Sequence, residues 1–116
     1  MVILHLATAA DWTAAVASGR YAVSTHGATL EQVGFIHCST PDQLAEVAGA
    51  VWAGSPDELV VLELEEETLR EAGLEVRYED GGNGTPYPHL YGAIDPAWVR
   101  SVRPGAFDAA GVFRRQ

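Results

Sequence analysis

Lysine is absent from this 116-residue chain, and cysteine occurs once, as Cys38. A single thiol excludes an internal disulfide, and a chain that folds without one suits a reducing cytosol. With no lysine, every basic side chain is one of seven arginines, set against sixteen acidic residues for a net charge of -9. Such a balance repels nucleic-acid phosphates unless a local basic patch exists. Arg100, Arg103, Arg114 and Arg115 gather near the C-terminal end, and a solvated surface is the simplest account of them. Apolar runs extend only a few residues, so no transmembrane helix is expected and nothing suggests a membrane partner. No basic stretch precedes the first strand-like segment, so no signal peptide is expected, and the Asn83-Gly84-Thr85 sequon is discounted. Neither G-x-G-x-x-G nor a P-loop follows any strand-like segment, which leaves Rossmann and P-loop readings unsupported.

What is present is an ordinary globular composition, 47% hydrophobic and 20% charged, enough for one core and too little for two. No linker or repeat divides the chain, and one domain over residues 1–116 is expected. Val2 to Leu6 reads as a strand. Thr8 with Asp11 three residues on reads as a helix start, and Gly19 as the stop. Tyr21 to Gly34 reads as irregular, with a turn near His26-Gly27. Phe35 to Ser39 is the next strand. Thr40, Pro41 and Gln43 then predict a capped helix carrying Leu44, Val47, Ala48 and Val51 and closing at Gly54. Leu59 to Glu65 alternates as a strand, with Glu63, Glu65, Glu66 and Glu67 read as a solvated edge and helix start. Glu66 to Ala72 reads as a short helix and Leu74 to Glu79 as a strand. Asp80 to Pro88 is a glycine- and proline-rich loop. Within it, Gly81–Tyr87 reads as a plain connection or as a lid. His89 to Ile94 and Trp98 to Arg103 are the last strand-like segments. Helices and strands alternate early and strands dominate later, which argues for α+β.

Four of these strands carry polar residues on one face and apolar residues on the other. His5 opposes Leu4 and Leu6. His37 and Ser39 oppose Ile36 and Cys38. Arg77 and Glu79 oppose Val76 and Tyr78, and His89 and Tyr91 oppose Leu90 and Ile94. A sheet packed on one side has a polar wet side. Wet sides are normally Lys, Glu, Thr and Arg, whereas three histidines, a serine, a glutamate and a tyrosine are residue types used in proton transfer and ribose recognition. Taken singly, each has a plainer reading: His5 as a hydrogen-bonded core histidine, Cys38 as a small buried hydrophobe, Tyr91 as a packing aromatic.

His5, the Gly34–Thr40 segment G-F-I-H-C-S-T, Tyr78-Glu79 and the Pro88–Gly92 segment P-H-L-Y-G together resemble a bacterial family, domain of unknown function 952, over nearly the whole chain. That resemblance implies a fold similar to the ADP-ribosyltransferase catalytic domain: a split, mostly antiparallel sheet with short helices and an NAD cleft between its halves. It implies three strand-borne catalytic positions, matched in order by His5, by His37 with Ser39, and by Glu79. It also implies NAD as cofactor, held by His5, His37, Ser39, Arg77, His89 and Tyr91, and glycosyl transfer of the ADP-ribosyl or phosphoribosyl type. Glu79 would stabilise an oxocarbenium-like ribose, His5 and His37 would bond ribose or phosphate, and Tyr91 would stack on nicotinamide. The sequence departs from that pattern where Arg77 stands two residues before Glu79, where His37 replaces a stacking tyrosine, and where Thr8 follows His5 at one residue's greater distance than usual.

The expected partner is thus a small nucleotide-like ligand, with a 2′-phosphorylated RNA end less favoured by charge. Two alternatives stand beside it. One is a metal-dependent hydrolase using His5, His37, His89 and Glu79, although no pair of these has a tight ligand spacing, so no metal is expected. The other is a non-catalytic ligand-binding module.

Overall fold

The computed structural model describes all of residues 1–116. It is an α+β structure in which every strand pairing is antiparallel. The elements are β1 (Val2–Thr8), α1 (Ala9–Ser18), β2 (Val23–Thr25), β3 (Ala28–Thr29), α2 (Leu30–Val33), β4 (Ile36–His37) and α3 (Leu44–Val51). They continue with β5 (Leu59–Glu65), α4 (Glu66–Glu71), β6 (Val76–Asp80), β7 (Pro86–Leu90), a 3₁₀ turn at Pro96–Trp98, β8 (Ser101–Phe107) and β9 (Phe113–Arg115).

Two sheets carry the molecule, one in the order β1-β5-β8-β9 and one in the order β4-β7-β6. They meet at a single bridge, where Leu4 and Ser39 exchange both backbone hydrogen bonds at 2.8 Å. The sheet is therefore split at one seam. Because β1 alternates, Ile3 feeds a core with Leu62, Leu64, Leu69, Leu90 and Ile94, while Leu4 feeds a second core with Leu44, Trp52, Val61 and Phe113. Each such side chain, fully buried, contributes about 1.5–3 kcal/mol. No helix is long and apolar enough to cross a membrane.

Helix α1 is capped as its sequence predicts, with the Asp11 amide donating to Thr8 Oγ1 at 3.0 Å and a left-handed Gly19 at its end. Several boundaries differ from expectation. The Tyr21–Gly34 stretch holds a small hairpin and the capped helix α2, where Thr29 and Gln32 form a reciprocal capping box. Helix α3 starts at Leu44 rather than after Thr40. Gln43 Oε1 accepts from the Thr40 amide at 3.0 Å and its Nε2 donates to the Pro86 carbonyl at 2.8 Å, but the Thr40 hydroxyl is diverted to Asp42 (2.6 Å), and residues 41–43 form a turn. Strand β7 begins at Pro86, not at His89, because β4 is only two residues long and leaves this half of β7 nearly an edge. There a proline's missing N–H is tolerated, and Cys38 uses the Pro88 carbonyl instead (3.0 Å). The last core strand, expected at Trp98 to Arg103, is β8, preceded by the 3₁₀ turn.

The four C-terminal arginines are exposed, as a solvated surface requires, but Glu63 departs from the expected solvated edge. Glu63 is buried and lies 2.8 Å from Arg115, 3.3 Å from Arg103 and 3.8 Å from Arg100. The C-terminal arginines thus neutralise a carboxylate that would otherwise be costly to bury.

Candidate functional site

Strands β4, β7 and β6 line up their alternate residues. The register sets His37 opposite His89 and His89 opposite Arg77, one row across all three strands. Tyr87 opposite Glu79 makes the next row. Ile36, Leu90 and Val76 align on the reverse face and are buried. One face is therefore anchored in the core, which leaves the other to carry His37, His89, Arg77, Tyr87 and Glu79.

His89 Nδ1 lies 3.0 Å from Glu79 Oε1. A carboxylate accepts, so Nδ1 carries the proton and donates, leaving Nε2 with the lone pair in the neutral ring. The Tyr91 hydroxyl donates to the same Glu79 oxygen. These two donors, Tyr91 first, hold the Glu79 carboxyl below its usual range. Phe35 stacks on His89 at 3.9 Å between centroids and 11° between planes. The Arg77 guanidinium sits 4.8 Å above the Tyr91 ring, a cation–π contact. His89 is thus fixed by a hydrogen bond at one edge and a ring against its face.

His37 is half-buried, with its ring centroid 5.5 Å from those of both His89 and Tyr87. Burial, and then the neighbouring His89, lower its pKa below the ordinary 6.5. It is therefore a neutral imidazole near pH 7, with one accepting nitrogen. Beside it opens a recess of about 240 Å³ between α3 and the 81–85 loop, lined by His37, Tyr87, Gly81, Asn83, Val47 and Glu46. The loop is pinned in place, since Asp80 Oδ1 accepts from the Gly82 amide at 2.7 Å and the Gly84 amide at 2.9 Å. Asn83 donates to the Tyr87 hydroxyl at 2.9 Å. In this conformation the loop forms one wall of the recess.

His5 stands apart from this face. It is buried, and both ring nitrogens are committed, Nδ1 to the His37 carbonyl at 2.8 Å and Nε2 to the Tyr21 hydroxyl at 2.8 Å. A carbonyl only accepts, so Nδ1 donates and the Tyr21 hydroxyl donates to Nε2. Burial pushes the His5 pKa down to about 4 and drives that of Tyr21 upward. The expectation that His5 bonds ribose or phosphate finds no free ring nitrogen here; the side chain instead fixes the backbone of His37. Cys38 is buried and its thiol is pushed up by burial, which makes it an inert core residue,. Ser39 is buried and lines a small inner cavity of about 10 Å³ together with His5 and His37.

Of the residues singled out by sequence, His37, His89, Glu79, Arg77 and Tyr91 come together, Ser39 lies at the inner edge, and His5 lies behind. No group of three His, Cys, Asp or Glu side chains is placed to hold a metal ion, so the hydrolase alternative built on such a cluster has no ligand set. Tyr87 and Ser24 were not singled out, whereas Phe35 shares the face of His37 and Ser39 by alternation. A strand begun at Pro86 would have revealed Tyr87, since Tyr87, His89 and Tyr91 alternate.

A family model described as protein of unknown function DUF952 matches residues 6–102. The crystal structure of protein CC0527 from Caulobacter crescentus is similar to this chain, with 32% identity, a TM-score of 0.83, and coverage of 98% of this chain and 94% of that one. A double mutant of the same protein gives 31% identity, a TM-score of 0.82 and the same coverage. Its solution structure gives 32% identity and a TM-score of 0.74, covering 96% of this chain and 90% of that one. No curated protein matches the chain.

Proposed function

We propose, from the premise that this chain belongs to the DUF952 family, that it binds a nucleotide-like ligand such as NAD or ADP-ribose and transfers or releases its ribosyl group. The observation that carries this reading is the row His37–His89–Arg77 with Glu79 beside it, on one face next to the seam of a split antiparallel sheet. An ADP-ribosyltransferase-like fold would place an NAD cleft at such a seam. The recess of about 240 Å³ is below the roughly 300–1,000 Å³ of a typical ligand pocket. It suits one nucleoside half of a dinucleotide, with the remainder lying over the sheet face towards Arg77.

In this reading neutral His37 accepts a hydrogen bond from a ribose hydroxyl. Cleavage of the bond to nicotinamide leaves positive charge on the ribose, and ionised Glu79 stabilises it with its second oxygen. Tyr91 and His89 keep that carboxylate ionised and oriented. His5 is a positioning residue. The lone buried thiol suits a cytosolic setting.

Calorimetric titration with NAD, ADP-ribose and a 2′-phosphorylated RNA end tests the reading. Binding to NAD or ADP-ribose is expected, with at least a tenfold loss in His37→Ala; no heat with any of the three at millimolar concentration would remove it. The alternative is a purely binding role, in which Glu79 serves only to hold His89 and Tyr91. It predicts unchanged affinity and no nicotinamide release in either wild type or Glu79→Gln.

A further inference from the structure

Behind His37 lies the inner cavity, about 10 Å³ in volume, close to the minimum that accommodates one water molecule. Its polar lining is Ser24, Thr25, Ser39, His37 and His5, and Trp52 lies among its apolar walls. Ser24 is 1% exposed, and its hydroxyl has no hydrogen-bond partner in the protein. A buried unpartnered hydroxyl is rare in native proteins because the desolvation it suffers is not returned. Of the other groups around it, His5 is committed to the His37 carbonyl and the Tyr21 hydroxyl, and Ser39 forms the seam through its backbone alone. The lining is also uncharged. It includes no arginine or carboxylate, and both imidazoles are held neutral by burial. A phosphate or carboxylate would find neither room nor a counter-charge.

We propose that Ser24, Ser39 and His37 form a subsite for one water molecule, or for a single neutral hydroxyl of the same size, on the inner side of the His37 ring. His37 and Val47 line both this cavity and the outer recess. His37 therefore stands between the water and the ligand site. Ser24 is a positioning residue for His37. This role towards a ligand rests on the proposed function, while the water site itself does not.

The test is water–protein cross-relaxation by NMR on the ligand-free protein, together with the melting temperature of Ser24→Ala. The expected result is a slow-exchange water cross-peak to the carbon-bound ring protons of His37, lost in Ser24→Ala, and a lower melting temperature in that variant. No such cross-peak, or a melting temperature raised because Ser24→Ala deletes an unpartnered hydroxyl from a dry cavity, would overturn the proposal. Addition of ADP-ribose separates the two readings: if it leaves the spectrum unchanged, the nucleotide reading fails while the water site stands.

Discussion

At the scale of single residues, the main division is between two histidines that look alike in sequence. His5 and His37 each sit mid-strand among apolar neighbours. His5 has both nitrogens bonded inside the protein, whereas His37 faces a recess. That difference sets a pH dependence. The folded chain keeps His5 neutral down to about pH 4, while the unfolded chain protonates it near 6.5. As pH falls, the unfolded state takes up the proton first, so stability present above 6.5 is lost across that window. The contribution is on the order of 3 kcal/mol, and the lowered His37 acts in the same direction. Urea denaturation between about pH 7 and pH 5 should show falling stability. His5→Phe should flatten that slope and destabilise the protein by about 2–4 kcal/mol, since the Tyr21 hydroxyl and the His37 carbonyl lose their partner. An undiminished slope in the variant would show that His5 is not the titrating group.

At the scale of elements, face alternation was legible wherever a strand was correctly bounded. Ile36 and Cys38 are buried and His37 faces the recess, as period-two reading requires. The capping signal at Thr8 was legible because no other group competes for the Thr8 hydroxyl. At Thr40 the same signal was half right: Gln43 Oε1 accepts from the Thr40 amide at 3.0 Å, but Asp42 captures the Thr40 hydroxyl that would have completed the cap. Prolines in β7 read as loop because a proline is a poor strand residue, and only the shortness of the neighbouring β4 makes them acceptable. The loop after β6 carries its own prediction. A Cβ on Gly81 would lie 2.5 Å from the Tyr87 ring. Gly81→Ala should therefore displace Tyr87, lower stability by about 1–3 kcal/mol, and perturb the ring signals of Tyr87 and His37 together. Unchanged aromatic spectra would show that the ring and loop are not in contact in solution.

At the scale of the whole molecule, the α+β class followed from the order of elements, but the pairing order did not. Nothing local tells β4 to pair with β7, or β1 to bridge Ser39, since those partners lie far apart in the chain. The gathering of His37, His89 and Glu79 is a product of that pairing, which is why the site was visible in sequence only as a shared face. The burial of Glu63 was missed for the same reason: its arginine partners lie far along the chain. Strand β1 supplies both cores, so the two should not unfold separately. Tryptophan fluorescence and far-UV circular dichroism should report coincident urea transitions. Two separated transitions would mean that the seam at Leu4 and Ser39 does not couple the sheets. The account as a whole meets its most direct test in a ¹H–¹⁵N correlation spectrum titrated with ADP-ribose. Shifts concentrated at His37, Asn83, Tyr87 and His89 are predicted; an unmoved spectrum at millimolar ligand, or shifts confined to the β8–β9 side of the molecule, would contradict it.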